Sequence, residues 1–247
     1  MDCPTDPETE LDETLDSINH IRIYQKKKGY RFSIDALILG SFILPKGYEQ
    51  AIELGAGSAV VSLFIASKLK NTQIIAVEIQ EELAKRAQKS VSLNNRCDQI
   101  KVVHENIIRL PHIYKPALFD LAFSNPPFRK KATGLLSPNR EISIAKHEIM
   151  LNLEDLIKTT AFLLKHKGSF CIIYHPLRLA ELFSLLHAYR LEPKRLRFVH
   201  DKDGEQAKMA LVEAVKGSGQ WLQVEYPLII HNMDGSYSRE MEIIFNE

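Results

Sequence analysis

The run Asn125-Pro126-Pro127-Phe128 carries the most distinctive chemistry in this sequence. Two consecutive prolines hold the backbone extended and leave carbonyls without local partners. The Asn125 amide oxygen and the Pro126 carbonyl then form a pair of acceptors. Such a pair suits an exocyclic amino group, which is conjugated with its ring and is a poor nucleophile. Accepting both of its hydrogens favours a pyramidal nitrogen and stabilises charge that develops during attack. Phe128 is placed to stack on the ring. Standing alone, the four residues would read as a turn at a strand end. Their place in the fold decides.

A second constellation lies upstream. Glu53-Leu54-Gly55-Ala56-Gly57-Ser58-Ala59 sits where an apolar strand meets a helix. Glycines there let the backbone approach a ligand closely. Glu78, followed by Ile79, ends the next strand, where an acid accepts hydrogen bonds from ribose hydroxyls. A dinucleotide site requires a third glycine after Gly57, but Ala59 and Val60 stand there. Glu53 would also repel a pyrophosphate. A cationic sulfonium bearing an ammonium group tolerates that carboxylate, so S-adenosylmethionine is favoured over a nicotinamide dinucleotide. Asn106, after the third strand, is placed to bond the cofactor's adenine; a plain loop asparagine fits that position as well.

The elements that must hold these residues alternate. Strands are predicted at Ala51–Leu54, Gln73–Val77, Ile100–Val103, Leu118–Ser124 and Ser169–Tyr174. Helices are predicted at Ile34–Ile43, Ala59–Leu69, Glu81–Asn94, Leu153–Leu164 and Leu177–Tyr189. Later strand-like runs are Leu196–Val199, Met209–Val215, Leu222–Ile230 and Met241–Phe245. The pattern implies a mostly parallel α/β sheet with helices on both faces and an antiparallel edge. Asn125 and the glycine turn would then both open on the carboxyl edge, where such sheets bind ligands.

With these residues in place, the chain resembles the class I methyltransferases that carry Asn-Pro-Pro-aromatic. Within these it is similar to the bacterial tRNA1(Val) adenine-N6 methyltransferase family. The resemblance covers residues 18–245 and includes Gly29–Leu37, Ala145–Glu148, His175–Leu179 and Glu192–His200. It implies a Rossmann-like seven-stranded fold and an enzyme that methylates adenine N6 next to a tRNA anticodon. It also implies that Tyr30, Phe32, Ser33 and Asp35 close over the cofactor, which Glu53, Gly55, Ala56, Gly57, Glu78, Ile79, Asn106 and Asn125 help to bind. Two positions depart from the family pattern, Ala59 for glycine and Asn106 for the common Asp. His147 and Glu148 match it and read as a structural pair. Guanine-N2 or glutamine-N5 methylation and a silent RNA-binding domain are the alternative readings.

The bulk numbers fit a partner of opposite charge. The chain has 247 residues and a net charge of +1. Seven acidic residues and no Lys or Arg fall within residues 1–20, leaving 32 basic against 24 acidic side chains elsewhere, a net +8. Residues 1–17 read as a disordered acidic tail and 18–247 as one domain: an arm and cofactor-covering helix (18–48), a catalytic core (49–216) and a C-terminal strand extension (217–247). Lys26, Lys27, Lys28, Arg129, Lys130, Lys131 and Arg195 are the candidate RNA contacts, with Phe128 supplying the stacking that single-stranded bases require. No apolar run has the length of a membrane span. The scattered cysteines Cys3, Cys97 and Cys171 have no metal-ligand spacing. A cytoplasmic, metal-free enzyme is expected.

Overall fold

The structure is a computed structural model that describes residues 13–18, 20–27, 34–126 and 152–246. Its first two strands, β1 (Glu13–Ile18) and β2 (Ile21–Lys26), form an antiparallel hairpin. This corrects the acidic tail: residues 13–17 are a strand, because β2 supplies the backbone partners that a lone polar segment lacks.

The chain then enters α1 (Asp35–Phe42), β3 (Gln50–Leu54), α2 (Val60–Lys68), β4 (Gln73–Glu78), α3 (Glu81–Leu93) and β5 (Ile100–His104). A short α4 (Leu110–Ile113) precedes β6 (Phe119–Ser124). After the undescribed stretch come α5 (Leu153–Leu163), β7 (Leu164–Tyr174), α6 (Leu179–Ala188), β8 (Leu191–His200) and β9 (Ala207–Lys216). Two-residue strands β10 (Gln223–Val224) and β11 (Leu228–Ile229) and helix α7 (Arg239–Asn246) complete the described fold.

The main sheet runs β10-β8-β9-β7-β6-β3-β4-β5, with β11 also on β8. Strands β5, β4, β3, β6 and β7 are parallel, and β9 pairs antiparallel with both β7 and β8. The seven long strands are the expected mostly parallel sheet with its antiparallel edge. β10 and β11 raise the count to nine. One face packs on α1, α2, α3 and α7, the other on α4, α5 and α6. Buried on both faces, the central strands read as continuous apolar runs. Glu53 is the one charged residue in the run from Ala51 to Leu54.

The C-terminal strand extension is also corrected. Pro227 divides the expected Leu222–Ile230 strand, since proline donates nothing to a ladder. Met241–Phe245 is helical: the Ser238 hydroxyl accepts from the Met241 amide at 3.2 Å and caps α7. Met241 and Ile244, three apart, are buried while Ile243 is exposed, which is helical spacing.

Arg195 is corrected as an RNA contact. Its guanidinium donates to Glu213 at 2.7 Å and to Glu225 at 2.5 Å, and it lies 4.2 Å over the Phe42 ring. Glu213 also takes Lys46 and the Ser169 hydroxyl. Burial alone would raise the Glu213 carboxyl; Lys46 and Arg195 hold it below its ordinary value. These charges join α1, β7, β8 and β9 and leave Arg195 no freedom to meet a phosphate. Removing one partner strands a buried charge, so Arg195→Met is expected to cost about 3 kcal/mol and lower Tm by roughly 10 °C. Calorimetry checks this; an unchanged Tm with weakened RNA binding would restore the surface role.

Candidate active site

Where the sheet order reverses, β3 has β4 on one side and β6 on the other. Ligands bind at such switch points because the flanking loops diverge there. The loop after β3 is the glycine turn, and the loop after β6 begins with Asn125. Glu53 is level with Phe123 across the pair. The Ser124 hydroxyl donates to the Leu54 carbonyl at 2.6 Å, tying the residue before Asn125 to the residue before Gly55.

The turn is built on left-handed backbone. Gly55, Gly57 and Ala59 have φ of 80°, 56° and 60°. A glycine adopts this freely, whereas alanine carries a modest penalty. Ala59 is fully buried in the core under α2. Its methyl therefore packs inward and does not narrow the hollow. The amides of Gly55 and Ala56 both donate to the Val77 carbonyl at 2.9 Å, and that of Gly57 to a Glu78 oxygen at 2.8 Å. These three N–H groups are spent inside the protein, unlike those of a phosphate-cradling loop.

Glu78 spans the gap to the next turn. Its second oxygen accepts from the Gln80 amide at 2.9 Å. Burial raises its carboxyl above the ordinary value, against those backbone donors. The Ile79 amide is a third backbone donor to it, so of the carboxylate's roughly four lone-pair sites about one stays open. Beside it, the Ile79 carbonyl bonds His104 at 3.1 Å. Asn106 uses its Oδ1 to cap the 3-10 turn that follows, accepting from Ile108 at 3.0 Å.

Glu53 differs. It is almost fully buried and meets the backbone amide of Ser62 at 3.1 Å and the Ser62 hydroxyl. Burial pushes its carboxyl up to about 8, with Ser62 opposing and the charge of Glu78 adding to the rise. Glu53 lines a hollow together with Ala36, Gly55, Ser58 and Asn125. The hollow is small, with a cavity volume of about 20 Å³. The Ser58 hydroxyl in this wall is buried and has no hydrogen-bond partner among the described residues. A buried acid without a described cation and an unsatisfied hydroxyl in one wall fit a ligand that is both cationic and polar.

The structure thus brings Glu53, Gly55, Ala56 and Asn125 to one hollow, with Glu78 behind the turn. Asp35 begins α1 one residue before Ala36. Pro126 follows as a buried residue. Tyr30, Phe32, Ser33, Pro127, Phe128, Lys28, Arg129, Lys130, Lys131, His147 and Glu148 lie outside the described residues. Lys26 and Lys27 end the hairpin. β2 runs antiparallel to α3, its Arg22 amide at Asn94 and its Tyr24 amide at Ser90, so the lysines approach the carboxyl edge. Sequence reasoning missed Ser58, Ser62 and Ser124, since a lone serine gives no signal until its partner is known. Among the described residues no cluster of three metal-ligating side chains occurs, and no helix is long and apolar enough to cross a membrane.

Known proteins resemble this chain in sequence and in fold. A tRNA1(Val) (adenine(37)-N6)-methyltransferase of Porphyromonas gingivalis is 28% identical over 232 residues, 91% of this chain and 90% of that protein. One from Bacteroides thetaiotaomicron is 30% identical over 152 residues, 61% of this chain and 62% of its own length. The match therefore spans about three-fifths of the Bacteroides protein. The crystal structure of a predicted O-methyltransferase, Atu636 of Agrobacterium tumefaciens, shares the fold, with a TM-score of 0.68 at 23% identity over 85% of this chain and 95% of that one. The sequence profile described as "Methyltransferase small domain" matches residues 32–184, from just ahead of α1 into α6. That is more than half of the sequence and takes in both loops of the switch point, and on this extent the chain belongs to the methyltransferase small domain family.

Proposed function

We propose that this chain transfers a methyl group from S-adenosylmethionine to N6 of an adenine in a tRNA anticodon loop. The observation that carries this reading is the shared hollow: the acceptor-bearing turn at Asn125 and the buried acid Glu53 line one cavity. The names of the relatives favour adenine over guanine N2 or protein glutamine.

The donor supplies a methyl already activated by its positive sulfur. The protein's part is alignment and charge. Glu53 and the Ser58 hydroxyl would hold the cationic end of the donor, and the open lone pair of Glu78 would accept from a ribose hydroxyl. Asn125 Oδ1 and the Pro126 carbonyl accept the two amino hydrogens of the target base. Holding both reactants in line removes much of the entropic barrier. The proton leaves the amino nitrogen after attack, so no strong base is required. Phe128 stacks on the base, and Lys26 to Lys28 with Arg129 to Lys131 neutralise nearby phosphates.

Nucleoside mass spectrometry of unmodified tRNA treated with protein and donor tests the reading. N6-methyladenosine is expected from the wild type. Asn125→Ala is expected to lower the rate at least about 100-fold, the usual cost of losing a preorganised polar contact. Methylguanosine in place of methyladenosine would overturn the target assignment.

The buried acid gives a second test. The raised Glu53 carboxyl is protonated well below pH 8, whereas a cationic donor favours its ionised form. Binding at pH 6.5 should therefore release close to one proton, read by calorimetry in buffers of different ionisation enthalpy. Glu53→Gln should release none. Without ligand the sign for stability is opposite. The unfolded chain loses this proton near pH 4.5 and the folded one near pH 8, so this group lowers stability as pH rises through that window. A wild type that binds donor at pH 6.5 without proton release would contradict the role of Glu53.

A further inference from the structure

The carboxyl edge continues past Asn125 into a second hollow. β7 ends at Tyr174, and Pro176, Leu177 and Arg178 form a single 3-10 turn beyond it. β9 begins opposite, at Ala207, after the loop from β8. Between them lies a groove of about 770 Å³ lined by His175, Leu177, Glu205, Gln206 and Lys208. Ser124 is level with Ile172, which sets Asn125 beside Ile173 and two residues short of His175. At ~4.8 Å between strands and ~3.3 Å per residue, the groove starts roughly 8 Å from Asn125.

Both walls are held. The Leu177 amide donates to His175 Nδ1 at 3.3 Å, and Pro176 fixes the backbone between them. Arg178 lies 5.0 Å over the Tyr174 ring and donates to Glu181 at 2.9 Å. At the tip, Leu177 is 89% exposed. It offers an apolar surface at the mouth of the groove. On the other wall Lys208 pairs with Asp201 at 2.8 Å, itself held by His231 at 2.7 Å, but unlike the buried Arg195 its side chain is 55% exposed and can also meet a phosphate.

The lining is sorted by chemistry. Amide and carboxylate heads read the edges of bases, lysine meets phosphate, and an apolar surface covers a base face. The groove's size falls within the ~300–1,000 Å³ of small-ligand sites, which suits a nucleotide and not a folded partner. It opens on the same sheet edge as the reactive hollow.

We infer that this groove seats the unpaired RNA base neighbouring the methylated adenine, with its face on Leu177, its edge toward Gln206 and Glu205, and its phosphate at Lys208. The inference takes RNA as substrate from the preceding reading. Anchoring the neighbour draws the target out of its stack and adds discrimination beyond the target itself.

The test uses the full chain, fluorescein-labelled anticodon stem-loops and methyl-transfer kinetics. Leu177→Ala is expected to weaken stem-loop binding roughly tenfold, the loss of one base contact. KM for RNA should rise in step, with kcat within about twofold and donor affinity unchanged. Gln206→Ala should level the affinities of stem-loops that differ only at the flanking base. Ile243→Ala, an exposed apolar change on α7, should do neither. Wild-type RNA affinity in both groove variants, or an equal loss in Ile243→Ala, would overturn the groove even if methylation proceeds normally. Weakened binding in the groove variants beside a wild type that transfers no methyl would uphold the groove and overturn the methylation reading. A wild type that binds no stem-loop would overturn the groove.

Discussion

The parallel pairing of β3 with β6 is the constraint on which the site depends. It forms where the sheet reverses its order, so the loops that leave the two strands part and open a hollow between them. The buried hydrogen bond from Ser124 to the Leu54 carbonyl fixes their heights. A one-residue slip would turn Glu53 out of the hollow and move Asn125 to the wrong face. The acceptors at Asn125 and the acid at Glu53 therefore have meaning only as a pair held by the sheet.

Charge is divided along the same sheet. Toward the carboxyl edge Glu53 has Ser62 as its described partner and a carboxyl pushed up to about 8, a cost that a cationic ligand relieves. Level with it and three strands away on β9, Glu213 is matched by Arg195 and Lys46, which hold its carboxyl below the ordinary value. The first acid is prepared for a partner, and the second has its partners already. Buried carboxylates of similar exposure thus serve opposite ends, and what separates them is the presence of a cation within the protein.

Much of this was legible in the sequence, for stated reasons. Asn125, Glu53 and Glu78 stand at the ends of apolar strands, and a parallel sheet puts all such ends on one edge. The left-handed turn was visible in Gly55 and Gly57, while Ala59 hid its φ of 60° behind an ordinary side chain. Arg195 was misread because Lys194, Arg195 and Arg197 form a basic run, whereas its partners Glu213 and Glu225 come from distant strands. Met241 to Phe245 was misread because five residues do not separate a period of 2 from one of 3.6. Residues 13–17 looked like tail because a hairpin is stabilised by its partner and not by its own polarity. Ser58, Ser62 and Ser124 became visible only with their surroundings.

A crystal structure of the full chain with S-adenosylhomocysteine and an adenine-containing anticodon stem-loop measures the central relation directly. The account predicts one amino nitrogen within about 3 Å of both Asn125 Oδ1 and the Pro126 carbonyl, with the amino-acid end of the cofactor product beside Glu53. A base bound away from that turn, or a cofactor product seated off the β3–β6 junction, would contradict it.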